Sequence, residues 1–286
     1  MSNKASGFGI LLGLALAVAI ALSGASGAWT QYDTPPILVA AAVAILVQWA
    51  AFVFAWRRQS EHFFDLTGSA TFISVVLIAA FLSRAALGPL DIALGAAVIA
   101  WALRLGAFLV SRVRSVGSDK RFEAIKPKFL WFLMTWTLQG VWVVATASVA
   151  LAVVGDGQAQ SIGVVELVGL LLWLAGLGIE VVADEQKRRF RQQGAVTFIT
   201  TGLWSKSRHP NYFGEMLLWS GLALAACPSL IGWQLVTMVS PVFVWALLIK
   251  ISGAPMLEAK ADRRFGNDPE YVAYKKATPL LIPRLW

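Results

Sequence analysis

The sequence predicts an all-α protein, a polytopic membrane bundle of about eight transmembrane helices, on three observations. The 286 residues are 58% hydrophobic and only 14% charged, with a mean hydropathy of +0.68. A soluble domain of this length carries nearer a quarter charged residues. Long apolar runs recur along the chain, each close to the roughly 20 residues that a helix needs to cross a bilayer. The 13 Trp fit rings anchored at a membrane interface.

Eight apolar runs define the predicted spans. The first follows a short tail that holds Lys4, and it is too long for a signal-peptide core, so we expect a retained helix. The seventh is short and ends at Cys227, where a tight hairpin with the eighth leaves seven as the alternative count. The predicted spans are Phe8–Ala28, Pro36–Trp56, Leu66–Leu87, Leu90–Val110, Phe129–Val154, Ile162–Ala183, Tyr212–Cys227 and Leu230–Ile251.

The loops between these spans alternate in charge. By count, 22 of the 24 Lys and Arg residues fall on one side, and the exceptions are Arg84 in an opposite loop and Arg104 inside a span. This split predicts that both termini are cytoplasmic, in a multi-pass protein of the bacterial inner (cytoplasmic) membrane. The net charge of +8 is therefore one-sided, which suits anionic lipid or a polyanionic ligand such as a nucleotide cofactor. No basic–aromatic module stands outside the membrane, so we expect no nucleic-acid partner.

The chain shows no long linker, low-complexity tract or internal repeat, so we expect a single membrane domain over residues 1–286. From Pro255 the sequence predicts an amphipathic helix, then a turn at 266–269, then a short helix with Tyr271 and Tyr274. Residues 252–286 would form a cytoplasmic tail. The tail would either lie on the bilayer or cover the mouth of a recess.

Charged residues cluster at the end of the sixth predicted span. Glu180, Asp184, Arg188 and Arg191 are spaced by four, four and three, which places them within an arc of roughly 80° on one helix face. One interpretation is a set of ion pairs that closes the helix end. The other is a face lining a polar pocket, where carboxylates accept hydrogen bonds from ribose or amide groups and guanidiniums bind phosphates.

The segment SKSRHPNYFGE precedes and opens the seventh span. Pro210 suits the first turn of a helix, and Asn211 and Glu215 then share a face at i,i+4. His209 lies between Arg208 and a helix start, where free N–H groups favour an anion. The sequence therefore predicts a functional segment here.

Arg104 must find a carboxylate or water inside its span, and Asp65 at the start of the third span is one candidate partner. No Walker loop, HExxH, GxSxG, CxxC or strand-borne GxGxxG occurs. With two histidines, His62 and His209, and one cysteine, a metal site is not expected. Any dinucleotide would have to be held by polar groups on helix faces.

These residues resemble the DUF1295 family, within the steroid 5-alpha-reductase C-terminal clan, over about residues 57–286, with the first two spans (1–56) outside the resemblance. The matching pieces are Asp184-(x)3-Arg188-(x)2-Arg191, Gly202-Leu203-Trp204-(x)3-Arg208-His209-Pro210-Asn211-Tyr212-Phe213-Gly214-Glu215, Tyr271-(x)2-Tyr274 with Ile282-Pro283, Trp101-(x)2-Arg104, and Gly117-(x)-Asp119-(x)-Arg121-Phe122.

The resemblance implies that this region binds NADPH. The predicted cofactor-binding residues are Glu180, Asp184, Arg188, Arg191, Arg208, His209, Asn211, Tyr212, Glu215 and Tyr274. In the steroid-reductase relatives, a Glu and a Tyr polarise the enone while hydride is delivered to its carbon–carbon double bond. Asp65 and Trp101 fall near those two positions, and with Arg104 they are the predicted catalytic residues. Because Trp has no phenolic proton and Asp is shorter than Glu, cofactor binding is better supported than steroid reduction.

The chain is thus predicted to be an NADPH-dependent oxidoreductase acting on CH–CH groups of a steroid-like or other lipid substrate that arrives from the bilayer. A second resemblance competes, because Arg-His-Pro-x-Tyr-x-Gly followed by Tyr-x-x-Tyr is similar to isoprenylcysteine carboxyl and phospholipid N-methyltransferases. Those enzymes use S-adenosylmethionine and usually carry paired glutamates where only Glu258 stands. A non-catalytic lipid-binding or transport protein is the third hypothesis.

Overall fold

A computed structural model of the chain describes residues 1–83, 87–116, 122–194 and 197–284, with the side chains of 108–116 excepted. Within these ranges the chain is helical and contains no strand, which confirms the all-α class. The α-helices are α1 (Asn3–Gly24), α2 (Pro36–Arg58), α3 (Phe64–Leu82), α4 (Pro89–Val116), α5 (Phe129–Val154), α6 (Val164–Gln192), α7 (Pro210–Ala226), α8 (Val239–Ala246), α9 (Ala254–Phe265) and α10 (Pro269–Ala277).

Seven segments of the described chain are long and apolar enough to cross a membrane. They are α1 to α3, the first part of α4, α5, α6, and the continuous stretch Gly232–Phe265. The predicted membrane helix bundle is confirmed, and seven is the alternative count. The remaining predicted span, Tyr212–Cys227, corresponds to α7, which has only 17 residues. The cytoplasmic position of both termini stays a prediction, and it requires an even number of crossings, with α7 as the eighth.

The chain packs as two compact units. The N-terminal unit comprises Met1–Glu166 with Ala225–Ser240, and the C-terminal unit comprises Leu167–Leu224 with Pro241–Trp286. Their behaviour as one membrane domain stays a prediction.

Helix α5 is the centre of the N-terminal unit and packs against α1, α2, α3 and α4. Nearly every residue from Gly140 to Val154 is buried. A helix that is enclosed on all sides can be apolar all round, which explains why α5 has no polar face. Polar side chains connect the helices around α5 at a few points. For example, the Gln48 amide on α2 donates to the Thr71 hydroxyl on α3 at 2.9 Å.

The loop that follows α5 is tied down by buried carboxylates. Asp91, in the first turn of α4, accepts hydrogen bonds from the backbone N–H groups of Gly88 at 2.8 Å and Gln160 at 3.0 Å. Asp156 accepts from the Gln234 amide at 3.3 Å. Burial raises the pKa of Asp156 above its usual range. These bonds satisfy backbone groups that would otherwise be buried without partners.

In the C-terminal unit, glycines let α6 and α7 pack backbone to backbone. A Cβ on Gly176 would lie 2.6 Å from the carbonyl oxygen of Gly214, and a Cβ on Gly221 would lie 2.6 Å from the backbone nitrogen of Trp173. A Cβ on Gly214 would lie 2.7 Å from the backbone nitrogen of Glu180. Small residues at helix crossings permit this approach in membrane bundles. The crossing brings the last turns of α6 beside the start of α7.

The predicted eighth span, Leu230–Ile251, is a composite. It begins as a 3-10 helix at Gly232–Met238, continues as α8, and widens into a π-turn at Leu247–Ile251. Beyond it, α9 and α10 confirm the two predicted tail helices, and the Asp268 side chain caps α10 by accepting from the Glu270 N–H at 2.9 Å.

Candidate functional site

The start of α7 is held by a backbone strap formed by residues 279–284. The N–H groups of Arg208 and His209 donate to the carbonyls of Pro279 at 2.9 Å and Leu280 at 3.1 Å. Returning in the other direction, the Arg284 N–H donates to the Lys206 carbonyl at 3.1 Å. Pro210 then opens α7 at its first position, where a missing N–H costs nothing. The strap therefore fixes the backbone of the segment that the sequence predicts to be functional.

One carboxylate on α9 holds both basic side chains of this segment. Glu258 contacts the Arg208 guanidinium through one oxygen and the His209 Nε2 through the other, at 2.8 Å. Lys275 lies 3.6 Å from the same carboxylate. The His209 ring is buried and stacks on Tyr212, with 5.4 Å between ring centroids and an interplanar angle of 11°. The sequence flagged Glu258 only as a methyltransferase feature and did not place it in the cofactor site.

Three polar atoms of this segment are buried without a hydrogen-bond partner among the described residues. They are Nε of Arg208, Nδ1 of His209 and Oδ1 of Asn211. Unpaired buried polar atoms are costly and occur where a ligand or water completes them. The cluster offers one acceptor beside donors, which suits an amide or phosphate-bearing ligand.

Asn211 links the two helices that cross. Its amide nitrogen donates to Asp184 Oδ1 at 3.2 Å, which joins the first turn of α7 to α6. One turn before Asp184, Glu180 is buried with 6% of its surface exposed. Glu215 follows Asn211 by one turn on α7 and is half-buried. The structure thus brings together four of the predicted cofactor-binding residues at one end of the α6–α7 crossing.

Arg188 and Arg191 lie at the outer end of α6, and both side chains are exposed. Glu185 pairs with Arg188 through two hydrogen bonds of 2.6 and 2.7 Å and with Arg189 through one of 2.6 Å. The sequence reasoning missed Glu185. It assigned Asp184, four residues before Arg188, to the polar face and left out Glu185, which lies three residues before Arg188. Arg188 is consequently oriented by a neighbour on its own helix.

Trp204 connects α6 to α10. Its indole N–H donates to the Ala183 carbonyl at 3.0 Å, and Lys187 Nζ lies 4.4 Å from the centroid of its ring. The Tyr274 hydroxyl donates to the Trp204 carbonyl at 2.7 Å, and burial raises the pKa of Tyr274 to about 12. Tyr274 was predicted, whereas the contacts of Trp204 and Lys187 were not. Gly202, two residues before Trp204, has φ +63°, a conformation that favours glycine. The glycine in the sequence was therefore a signal for a tight turn.

The predicted catalytic residues Asp65, Trp101 and Arg104 all lie in the N-terminal unit. Trp101 is buried and packs edge-on against Phe72, with ring centroids 5.2 Å apart. Arg104 follows one turn later on α4 and is half-buried, as is Asp65 in the first turn of α3. Helices α3 and α4 pack against each other. Pairing of Asp65 with Arg104 stays a prediction.

Only some of the upstream residues that carry the family resemblance lie within the described ranges. Gly117, Asp119 and Arg121 lie outside the residues that the structure describes, as does Arg84. Phe122 is buried against Phe64, with ring centroids 5.1 Å apart.

Comparison with known proteins places these residues in a family context. A family model described as "Protein of unknown function (DUF1295)" matches residues 51–278. The 3-oxo-5-alpha-steroid 4-dehydrogenase 1 of Rattus norvegicus is 29% identical over 119 residues, which cover 41% of this chain and 40% of the relative. No solved structure matches the chain.

Proposed function

The chain belongs to the DUF1295 family, and on that premise we propose that it is an NADPH-dependent membrane reductase of a carbon–carbon double bond in a steroid-like or other lipid substrate. The observation that carries the proposal is the polar cluster at the start of α7. There, Asn211 and Asp184 join two helices, and Arg208, His209 and Asn211 each keep a buried polar atom without a partner in the described chain.

The residues of this cluster fit a dinucleotide. The unpaired Oδ1 of Asn211 can accept an N–H of a carboxamide, and Asp184 holds the other end of that side chain in place. The exposed guanidiniums of Arg188 and Arg191 can bind phosphates, for which arginine geometry is well suited. Glu258 fixes Arg208 and His209, so these side chains need no reorganisation when an anion arrives. When bound, NADPH supplies the hydride.

The substrate class rests on the relative and on the polar residues of the N-terminal unit. The name of the rat relative describes a dehydrogenase acting at position 4 of 3-oxo-5-alpha-steroids. We propose that Arg104 donates to a carbonyl oxygen of an apolar substrate and that Asp65 orients this guanidinium. Ionisable residues within a span are expensive to place there and usually serve a site. Trp101 lies one turn before Arg104 on α4, packs against Phe72 and would shape the pocket.

Calorimetry of the detergent-purified full chain with NADPH, NADH and S-adenosylmethionine tests the cofactor. We expect NADPH to bind. Asn211→Ala should weaken binding about tenfold, because the substitution removes the unpaired Oδ1 and the amide nitrogen that donates to Asp184. Ser220→Ala on the same helix is the matched control, since that hydroxyl only donates to the Met216 carbonyl within α7.

The methyltransferase hypothesis is kept as an alternative on one observation. Glu258 binds both basic residues of the Arg-His-Pro segment, which is where the methyltransferases carry their glutamates. Binding of S-adenosylmethionine without NADPH would replace the reductase proposal. If no nucleotide binds and Asn211→Ala and Arg191→Ala only lower the melting temperature, a non-catalytic lipid-binding or transport protein becomes the better account.

A further inference from the structure

A groove of about 420 Å³ opens on the N-terminal unit between the end of α2 and the beginning of α3. Three alanines, Ala51, Ala55 and Ala70, leave space between the larger side chains of Phe54 and Leu66. Its lining is almost wholly apolar, and it lies on helices that are long and apolar enough to cross a membrane. A groove in this position is open to hydrocarbon chains of the bilayer.

The lining of the groove contains two side chains with polar hydrogens. The Thr67 hydroxyl donates to the Phe63 carbonyl at 2.7 Å and is therefore satisfied. Trp136 is fully buried, and its indole N–H has no acceptor among the described residues. Neither side chain therefore presents an accessible polar group, and the groove suits a hydrocarbon chain.

Positive charge lies beside the groove, at the end of α2. Arg57 and Arg58 end α2 and are exposed. The Arg58 guanidinium lies 4.3 Å from the ring centroid of Phe54, which lines the groove. Among the described residues before α5, Lys126 is paired with Glu61 at 2.6 Å. Two exposed guanidiniums beside an apolar channel match a phosphate attached to an acyl chain.

We propose that this groove binds one acyl chain of an anionic phospholipid, with the phosphate at Arg57 and Arg58. The stretch that lines the groove from Phe63, the residue before α3, to Ala70 rises about 10 Å. That length takes the upper part of a chain within a leaflet about 15 Å deep. The proposal is independent of the reductase proposal, because none of its residues belongs to the cofactor cluster or to the predicted catalytic set.

Native mass spectrometry of the delipidated full chain, with equal amounts of phosphatidylglycerol and phosphatidylcholine added back, tests the site. We expect one phosphatidylglycerol to be retained, with a preference of about tenfold over phosphatidylcholine. Replacing both arginines, by Arg57→Gln and Arg58→Gln together, should abolish the preference. Ala55→Phe should abolish retention by filling the groove.

Leu46→Phe is the matched control, because Leu46 is an exposed residue of α2 that does not line the groove. Equal retention of the two lipids by the unaltered chain would mean ordinary annular contact and would overturn the proposal. Retention by Ala55→Phe equal to that of Leu46→Phe would overturn it as well. If Ala55→Phe fails to fold, a photoactivatable phosphatidylglycerol on the unaltered chain decides, since labelling outside residues 51–70 and Trp136 contradicts the site.

Discussion

At the scale of single residues, Glu258 does the most to organise the candidate site. It contacts Arg208 and His209 at once, with 19% of its side chain exposed. A carboxylate that binds two basic side chains in a partly desolvated place contributes more than a surface pair, because removing it leaves both side chains without their partner. Its influence therefore reaches the residues that the proposed cofactor would meet.

Glu258→Gln should lower the free energy of unfolding by about 1–3 kcal/mol, because it removes the charge that compensates Arg208. Thermal unfolding of detergent-purified protein measures the change. Glu185→Gln is the control, since Glu185 pairs with exposed arginines and should shift the melting temperature little. Equal shifts for the two variants would show that Glu258 is no more than a surface charge.

Tyr274 gives a pH-dependent signal. Burial holds its pKa at about 12, above the usual 10.0, with Arg208 opposing and Glu258 adding to the shift. Because the folded state keeps the phenol protonated, this stabilisation is present below pH 10 and is lost as the pH rises toward 12. The phenolate absorbance of the unaltered chain minus that of Tyr274→Phe should therefore rise near pH 12. A midpoint near 10 would contradict the burial of the Tyr274 phenol.

The residue scale also shows why the sequence predicted the site only in part. The i,i+4 spacing correctly placed Asn211 and Glu215 on α7, since helical periodicity follows from local geometry. The spacing could not say that Arg188 bonds Glu185, because two adjacent carboxylates lie within reach and side-chain packing decides between them. The contact of Glu258 with Arg208 joins residues 50 apart, and no local pattern encodes it.

At the scale of elements, the α6–α7 crossing positions the predicted cofactor-binding residues. Asn211 and Asp184 meet because Gly176 and Gly214 let the two backbones approach. A side chain at either glycine would meet backbone atoms, which cannot rotate away. The geometry of the polar cluster therefore depends on residues that carry no functional group.

Gly176→Ala should destabilise the protein by about 1–3 kcal/mol and weaken NADPH binding, because a Cβ there lies 2.6 Å from the Gly214 carbonyl oxygen and must push the helices apart. Gly178→Ala on the same helix meets nothing within 4 Å. It should be neutral or slightly stabilising, since alanine favours helix more than glycine does. Thermal unfolding and calorimetry compare the pair. Similar behaviour of both variants would rule out a specific role for the crossing.

Element boundaries show the limits of pattern reasoning. Apolar length alone placed α5 at Phe129–Val154, as predicted, because a fully enclosed helix is apolar from end to end. The predicted sixth span stopped at Ala183, whereas α6 continues through the charged turns to Gln192. The predicted span Leu230–Ile251 contains three helical geometries. Hydropathy reflects the free energy of transferring side chains out of water, so it does not distinguish among these helical geometries.

At the scale of the whole molecule, the one-sided distribution of Lys and Arg predicts the topology. The positive residues of the connecting loops resist translocation, so the loops that hold 22 of the 24 should stay on the cytoplasmic side. The structure supplies suitable reporter positions, because Ser2, Lys276 and Ala159 are exposed.

Single cysteines in a Cys227→Ser background test this topology. In intact cells, Ser2→Cys and Lys276→Cys should resist a membrane-impermeant maleimide, and Ala159→Cys should react. After lysis all three should react, which controls for accessibility. Labelling of Lys276→Cys in intact cells would place the α9–α10 region and its basic residues on the opposite side, and would remove the basis for a cytosolic nucleotide.

The strap of residues 279–284 can pair with its partners only near the end of synthesis. Its partners at 206–209 emerge from the ribosome about seventy residues earlier. At about 5–20 residues per second, the wait is roughly 4–14 s. During that interval α7 and the apolar stretch after it emerge, while the backbone N–H groups of Arg208 and His209 still lack the carbonyls of Pro279 and Leu280. If the segment binds a nucleotide, as proposed, the nascent chain would acquire that ability only after the last helix, α10, has been made and residues 279–284 have paired with residues 206–209.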